Sequence, residues 1–129
     1  MRVLVTGGAG YLGSILSRKL LEKGYQVRLI DTFWYGKESI EDLISNKNFE
    51  IIEGDIRNLL VTVKALKDVQ AVIHLASIVG MPASSIEPKS SEEINILLQK
   101  ILQNYVSYTI LIPIFLRVRV LSMEASLKN

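Results

Sequence analysis

Cysteine is absent from this chain of 129 residues, and histidine and tryptophan occur once each. Without thiols, the chain forms no disulfide and no thiolate metal site, and no other metal-binding cluster stands out in the sequence. A chain free of cysteine is typical of a reducing compartment, so we expect a cytoplasmic protein. Glycine is unevenly spread, because all eight glycines lie within the first 80 residues. The chain therefore has a glycine-containing segment up to residue 80 and a glycine-free segment after it.

A strong charge of one sign and a long hydrophobic run are also lacking. The formal net charge of +2 is too small to indicate a nucleic-acid partner. The apolar run after Arg2 is three residues long and enters glycines, unlike a signal peptide. A second apolar stretch, residues 110–116, contains Pro113 and ends at Arg117, so it is too short to span a membrane. A composition of 49% hydrophobic and 22% charged residues predicts a globular domain.

The sequence TGGAGYLG at residues 6–13 directly follows the apolar run 3–5. This context predicts a strand, a glycine-rich turn and a helix, which together can hold the pyrophosphate of a dinucleotide. One glycine allows the tight turn, a second lets the backbone approach the phosphates, and a third lets the helix pack closely on the strand. The first amides of the helix then face the anion. A purely structural turn is the alternative interpretation.

Asp31 lies 18 residues after Gly13, at the end of the next predicted strand. An acid near this spacing accepts hydrogen bonds from the ribose hydroxyls of a bound dinucleotide. A carboxylate there repels a 2′-phosphate, so the sequence favours NAD, with NADP less favoured. Arg28 and Lys37 are candidates to weaken that preference. The alternative is an ordinary surface aspartate.

Strands and helices alternate along the first two thirds of the chain. This alternation predicts an α/β fold, a Rossmann-type doubly wound parallel sheet that is truncated after about the fourth or fifth strand. Ser90 and Glu93 form a capping-box pattern that opens another helix. Pro113 interrupts a poor fifth strand. The predicted strands are 2–6, 25–30, 49–53, 71–76 and 110–120, and the predicted helices are 11–23, 38–45 and 59–67.

Four motifs in this order resemble the extended short-chain dehydrogenase/reductase superfamily. They are TGGAGYLG, DTFWYG at 31–36, GDIR at 54–57 and HLAS at 74–77. The most similar group is the NAD-dependent epimerases and dehydratases that act on nucleotide sugars. The likeness covers residues 1–97 and implies a nucleotide-sugar substrate and, in full-length members, a homodimer.

The resemblance also implies a cofactor site. It assigns the pyrophosphate to Gly7, Gly10, Tyr11, Leu12 and Gly13, the adenosine ribose to Asp31, the adenine to Asp55 and Ile56, and the nicotinamide ribose to Leu75, Ala76 and Ser77. Asn95 matches an asparagine that steadies the family's fold near the active site.

Several of these residues have a second interpretation. Asp55 as a turn residue and Asn95 as a helix-surface residue stay open. We interpret His74 as a buried, hydrogen-bonded structural residue, and Trp34 and Tyr35 as loop packing in preference to a cover for adenosine.

The catalytic pair of that superfamily, Tyr-x-x-x-Lys, is absent, because no tyrosine here is followed by lysine four residues later. We therefore assign no catalytic residue. We divide the chain into an NAD(P)-binding Rossmann segment, 1–97, and a divergent tail, 98–129. Back-translation of residues 120–124 in a shifted frame permits Ser-Val-Tyr-Gly, which resembles the family's sequence after its catalytic serine, so a frameshifted tail is one hypothesis and a genuine divergent tail the other.

Two functions follow from these observations. The first is the NAD-binding portion of a nucleotide-sugar epimerase or dehydratase, not catalytically competent as this chain alone. The second is a non-catalytic dinucleotide-binding module with a sensor or regulatory role.

Overall fold

The computed structural model describes residues 1–76, Lys100 and residues 108–111. Within these residues, five parallel strands form one sheet in the order β3-β2-β1-β4-β5. The strands are β1 (Arg2–Thr6), β2 (Gln26–Asp31), β3 (Phe49–Glu53), β4 (Ala71–His74) and β5 (Tyr108–Leu111). The helices are α1 (Tyr11–Glu22), α2 (Leu59–Leu66) and a 3₁₀ helix (Glu38–Leu43). The predicted α/β parallel fold of the Rossmann type is confirmed.

The central strand β1 pairs with β2 on one side and β4 on the other, with Val5 opposite both Leu29 and Ile73. Its residues Val3, Leu4 and Val5 are fully buried. A continuous apolar run of this kind is typical of a parallel strand that is covered on both faces. Because the chain leaves β1 toward β2 and later returns to pair β4 on the opposite side, the carboxyl end of β1 lies at the switch point of the sheet.

Alternate side chains of the sheet form two apolar layers. Val3, Val5 and Val27 pack under α1 together with Leu16 and Leu20 of that helix. On the other face, a cluster joins the sheet to α2; its members are Leu4, Ile30, Val72, Ala65 and Leu66. The two faces follow from the period of two along each strand. The carboxyl edge of the sheet therefore lies between two packed apolar layers.

Helix α1 buries its small residues rather than all of its large apolar ones. Gly13, Ser14 and Ser17 are buried, whereas Leu12, which the helical spacing placed on the core face, is half exposed. This difference has a steric cause, because the start of the helix lies too close to the glycine loop for large side chains. Leu16 and Leu20 contact the core one and two turns later.

Arg28 carries a charge into the interior, where it is only 6% exposed. Its Nε donates to Glu50 Oε2 at 2.8 Å, and its Nη1 donates to the carbonyl oxygens of Ala65 at 2.8 Å and Lys67 at 2.6 Å. The guanidinium therefore ties β2 to β3 and to the carboxyl end of α2, where free carbonyls need donors.

The predicted element boundaries differ from the observed ones in several places. The predicted helix 38–45 is a shorter 3₁₀ helix, and β4 ends at His74 rather than at residue 76. The predicted strand 110–120 overlaps β5 only at residues 110 and 111. The loop after residue 76 and the helix predicted to begin at Ser90 lie outside the described residues. In the part of the chain that is described, no helix has both the length and the apolar character needed to cross a bilayer.

Candidate nucleotide-binding site

The glycine loop joins the carboxyl end of β1 to the first turn of α1. Gly10 is the N-cap residue, no side chain caps the helix, and the first turn contains no acidic residue. The first amides of a helix have no intrahelical acceptor, and the positive end of the helix dipole lies behind them. This end of α1 is therefore electrostatically suited to an anion.

The glycines of the loop serve different purposes. Gly7 has a φ of +67°, and a Cβ on it would lie 2.7 Å from the backbone nitrogen of Ala76. A Cβ on Gly13 would lie 2.6 Å from the Gly7 carbonyl oxygen. Gly10 is exposed, and its nearest obstacle would be that same oxygen at 3.3 Å. The fold therefore requires glycine at 7 and 13, whereas only an approaching ligand would require it at 10.

Gly8 is a residue of the loop that the sequence reasoning missed. It is buried, and a side chain on it would overlap the Leu29 side chain of β2. The only sequence signal for Gly8 was its position next to Gly7. The glycine spacing that indicates phosphate binding does not reveal that Gly8 packs against a neighbouring strand.

Asp31 links the glycine loop to the turn that follows β2. Its Oδ2 accepts a hydrogen bond from the Ala9 amide at 3.0 Å, and its Oδ1 accepts one from the Phe33 amide at 3.0 Å. A carboxylate has about four acceptor positions. Asp31 therefore retains capacity to accept two hydroxyl groups while it holds the loop, although its role toward a ribose stays a prediction.

Ser39, in the 3₁₀ helix, binds the other backbone polar group of Ala9. Its hydroxyl donates to the Ala9 carbonyl oxygen at 2.6 Å. Arg18 of α1 donates to the Ser39 carbonyl oxygen at 2.7 Å and forms an ion pair with Asp42. Both polar groups of Ala9 are thus bound before any ligand arrives. No sequence signal predicted this contact, because it joins residues 30 positions apart.

Asp55 follows β3, and the Gly54 amide beside it donates to the Asp31 carbonyl oxygen at 2.9 Å. The Asp55 carboxylate accepts from the Arg57 amide at 2.8 Å and pairs with the Arg57 guanidinium. Its hydrogen bonds with the Arg57 side chain lower the pKa of Asp55. Asp55 is therefore a turn residue, as one of its two interpretations predicted. Ile56 is partly buried against the α2 cluster.

Thr6 organises the carboxyl end of β4. Its Oγ1 lies 2.7 Å from Nδ1 of His74 and accepts from the Ala76 amide at 3.2 Å, while its carbonyl oxygen accepts from the Leu75 amide at 3.0 Å. Burial lowers the pKa of His74 to about 4, so the imidazole is neutral at pH 7. The structural interpretation of His74 is confirmed, and Thr6 is the partner that the sequence did not identify.

Two predictions about residues in β2 and in the turn that follows it are wrong. Trp34 and Tyr35 are 71% and 94% exposed, so they are not loop packing. Arg28 is buried on the α2 face and cannot act on a ligand at Asp31. Lys37 is paired with Glu53 at 2.7 Å, and its effect on the preference for NAD stays a prediction. Because side chains alternate along a strand, Arg28, which lies three residues before Asp31, is on the opposite face of the sheet.

The structure therefore brings most of the predicted residues to one edge of the sheet. The Ala9–Asp31 hydrogen bond joins the loop to β2, and the close approach of Gly7 to Ala76 joins it to β4. Tyr11 and Leu12 are exposed at the start of α1. Ser77 and Asn95 lie outside the described residues.

Comparisons with known proteins show which sequences this chain is similar to. UDP-glucuronic acid decarboxylase 1 of Danio rerio is 39% identical over 82 residues, which cover 63% of this chain and 18% of the decarboxylase. UDP-glucose 4-epimerase of Klebsiella pneumoniae is 39% identical over 93 residues, which cover 68% of this chain and 67% of that sequence. The chain thus spans about a fifth of the length of the decarboxylase.

Solved structures give the same result for the fold. UDP-glucose 4-epimerase of Thermotoga maritima, solved with UDP-glucose, matches with a TM-score of 0.68 at 30% identity and covers 86% of this chain and 37% of its own. WbmG of Bordetella bronchiseptica, solved with NAD, matches with a TM-score of 0.71 at 29% identity over 86% of this chain and 36% of its own.

The family model of the NAD dependent epimerase/dehydratase family matches residues 3–114, which include the glycine loop, Asp31 and, apart from Arg2, all five described strands. Because this match agrees with the strand order and the loop geometry, the chain belongs to the NAD dependent epimerase/dehydratase family.

Proposed function

We propose that this chain binds NAD at the carboxyl edge of the sheet, as the cofactor-binding part of a nucleotide-sugar epimerase or dehydratase. The observation that carries the proposal is Gly10, an exposed glycine that the fold does not require, at the uncapped start of α1. Relatives of this family have been solved with NAD, which supports the same cofactor here.

The residues at this edge fit a dinucleotide. The amides at the start of α1 would bind the pyrophosphate, because they are oriented donors at the positive end of a helix. Asp31 would accept the adenosine ribose hydroxyls, and Leu75 and Ala76 would border the nicotinamide ribose. We further assign Ser77 to that border, and Asp55 and Ile56 to the adenine. NAD, when bound, accepts a hydride from a substrate carbon and returns it.

We also propose that this chain alone binds NAD without turning over a nucleotide sugar. The Tyr-x-x-x-Lys pair on which the family's chemistry depends has no counterpart in the 129 residues. A sensor or regulatory module would behave in the same way, and the division at residue 97 stays a prediction. The cysteine-free sequence is consistent with the cytoplasm as the compartment.

Calorimetric titration of the full chain with NAD and with NADP tests the proposal. We expect saturable binding of NAD and weaker binding of NADP, because the Asp31 carboxylate repels a 2′-phosphate. Asp31→Asn should weaken NAD binding at least about tenfold, since one acceptor is replaced by a donor. Asp68→Asn is the matched control, because Asp68 is exposed just before β4, at the opposite edge of the sheet.

Two results would contradict the proposal. NADP binding more tightly than NAD would exclude the role given to Asp31, and no binding of either nucleotide would exclude the cofactor site. A parallel assay with UDP-glucose and NAD measures turnover. Formation of NADH or of an epimerised sugar would refute the claim that the chain alone is inactive.

A further inference from the structure

Arg18 and Asp42 form a two-point ion pair that joins α1 to the 3₁₀ helix. The Arg18 Nε donates to Asp42 Oδ2 at 2.8 Å, and its Nη2 donates to Asp42 Oδ1. The same Nη2 donates to the Ser39 carbonyl oxygen at 2.7 Å. Bidentate geometry of this kind is what gives an ion pair at the surface a measurable effect. The guanidinium therefore fixes the 3₁₀ helix against α1.

This ion pair lies away from the nucleotide-binding edge. Arg18 is seven residues after Tyr11, which corresponds to about 10 Å along the axis of α1. The side chains of Arg18 and Asp42 are 35% and 57% exposed, so they contribute little to the core. An effect of the pair on a ligand must therefore pass through the residues that it positions.

Ser39 connects the ion pair to the glycine loop. Its hydroxyl donates to the Ala9 carbonyl oxygen at 2.6 Å. The Gly10 amide, which belongs to the same peptide unit, donates to the Gly7 carbonyl oxygen at 3.2 Å. Because a peptide unit is planar, hydrogen bonds at both of its polar groups fix its orientation.

The peptide unit between Ala9 and Gly10 is the last one before α1. The Ser14 amide makes the first hydrogen bond of the helix, to the Gly10 carbonyl oxygen at 2.9 Å. The amides of residues 11–13 precede that bond and have no helical acceptor. In the proposed function, these amides bind the pyrophosphate. Their direction depends on the peptide unit before them, and hydrogen bonds weaken steeply when the donor is misaligned.

We infer that Arg18 and Asp42 are positioning residues for the pyrophosphate of NAD, which act through Ser39 and the peptide unit between Ala9 and Gly10. The inference rests on the proposed function and adds to it two residues outside the cofactor site. It predicts that loss of the Asp42 carboxylate weakens binding of an anion. A direct charge effect would have the opposite sign, because removal of a negative charge favours an anionic ligand.

Calorimetric titration of the full chain and its variants with ADP-ribose tests this sign. We expect Arg18→Gln and Asp42→Ala each to weaken binding about threefold, as for the loss of an ordered surface ion pair. Asp42→Glu retains a carboxylate and should bind within about twofold of the unchanged chain. Lys19→Gln is the matched control, because Lys19 is an exposed cation of the same helix, and it should leave affinity unchanged.

Two further measurements distinguish positioning from a general loosening of the fold. Adenosine, which has no phosphate, should bind the unchanged chain, Arg18→Gln and Asp42→Ala equally well in NMR titrations. Arg18→Gln combined with Ser39→Ala should bind ADP-ribose no more weakly than Ser39→Ala alone, because the ion pair acts through Ser39. Circular dichroism at the temperature of the titrations establishes that each variant is folded.

The outcomes separate the inference from the function on which it rests. Unchanged ADP-ribose affinity in Arg18→Gln and Asp42→Ala would overturn the positioning role and leave the NAD site standing. Tighter binding in Asp42→Ala would also overturn it, in favour of a direct charge effect. Equal losses for ADP-ribose and adenosine would show that the pair only stabilises the fold. No binding of NAD or ADP-ribose to the unchanged chain would overturn both the inference and the proposed function.

Discussion

Gly10→Ala and Gly13→Ala separate the two reasons for which a phosphate-binding loop contains glycine. A methyl group at residue 13 would lie 2.6 Å from the Gly7 carbonyl oxygen, well inside the 3.4 Å at which ordinary contact begins. The atoms that this methyl group would meet belong to the backbone of Gly7 and Gly8, so α1 has to move away from the loop. Overpacking of this kind costs about 1–3 kcal/mol of the free energy of unfolding. The gain in helix propensity from glycine to alanine, about 1 kcal/mol, offsets only part of that cost.

A methyl group at residue 10 meets a different environment. Gly10 has a φ of −69°, which alanine adopts without strain, and its nearest obstacle is at 3.3 Å. Because alanine is a poorer N-cap residue than glycine, we expect the free energy of unfolding to fall by about 0.5–1 kcal/mol and no more. The methyl group would nevertheless occupy the space through which phosphates approach the backbone, so NAD affinity should fall at least tenfold, or about 1.4 kcal/mol.

Urea unfolding followed by circular dichroism, together with calorimetric titration with NAD, measures the two quantities on each variant. The expected pattern is a small loss of stability with lost NAD binding for Gly10→Ala, and a larger loss of stability with lost NAD binding for Gly13→Ala. Normal NAD affinity in Gly10→Ala would refute the phosphate-binding role of the glycine loop, because phosphates would then not approach this residue. Normal stability in Gly13→Ala would refute the close packing of helix and loop.

Three further perturbations test the interior contacts. Arg28→Met leaves the Ala65 and Lys67 carbonyl oxygens without their donor and should cost about 2–4 kcal/mol in urea unfolding; a loss below about 1 kcal/mol would contradict this. Burial lowers the pKa of His74 from 6.5 to about 4, so the unfolded chain binds more protons between these values and stability should decrease as pH falls through that window, by about 3 kcal/mol in total. His74→Gln should flatten this slope, and an unchanged slope would exclude the histidine as its cause. Ser39→Ala removes the hydrogen bond to Ala9 and should weaken NAD binding about fivefold, whereas Ser39→Thr should restore it. Equal affinity in the unchanged chain and in both variants would show that this hydrogen bond does not support NAD binding.

Local patterns explain why much of the fold was predictable. The apolar run of β1 and the glycine loop after it determine a buried strand, a turn and a helix through interactions between residues close in sequence. Asp31 could be located in the same way, by counting from the loop to the end of the next strand. The α1 face was predicted less well, because hydrophobic spacing treats Leu12 as a core residue and does not register how closely Gly13 approaches the loop.

The sequence by itself determined the class of fold and the family and located the candidate cofactor site, since each follows from short motifs and their order. Tertiary structure alone decided how that site is supported. The hydrogen bond between Thr6 and His74 spans 68 positions, the one between Arg28 and Ala65 spans 37, and the one between Ser39 and Ala9 spans 30. Such partners meet only after the parallel strands have aligned their carboxyl ends, because no local propensity links residues so far apart in the chain.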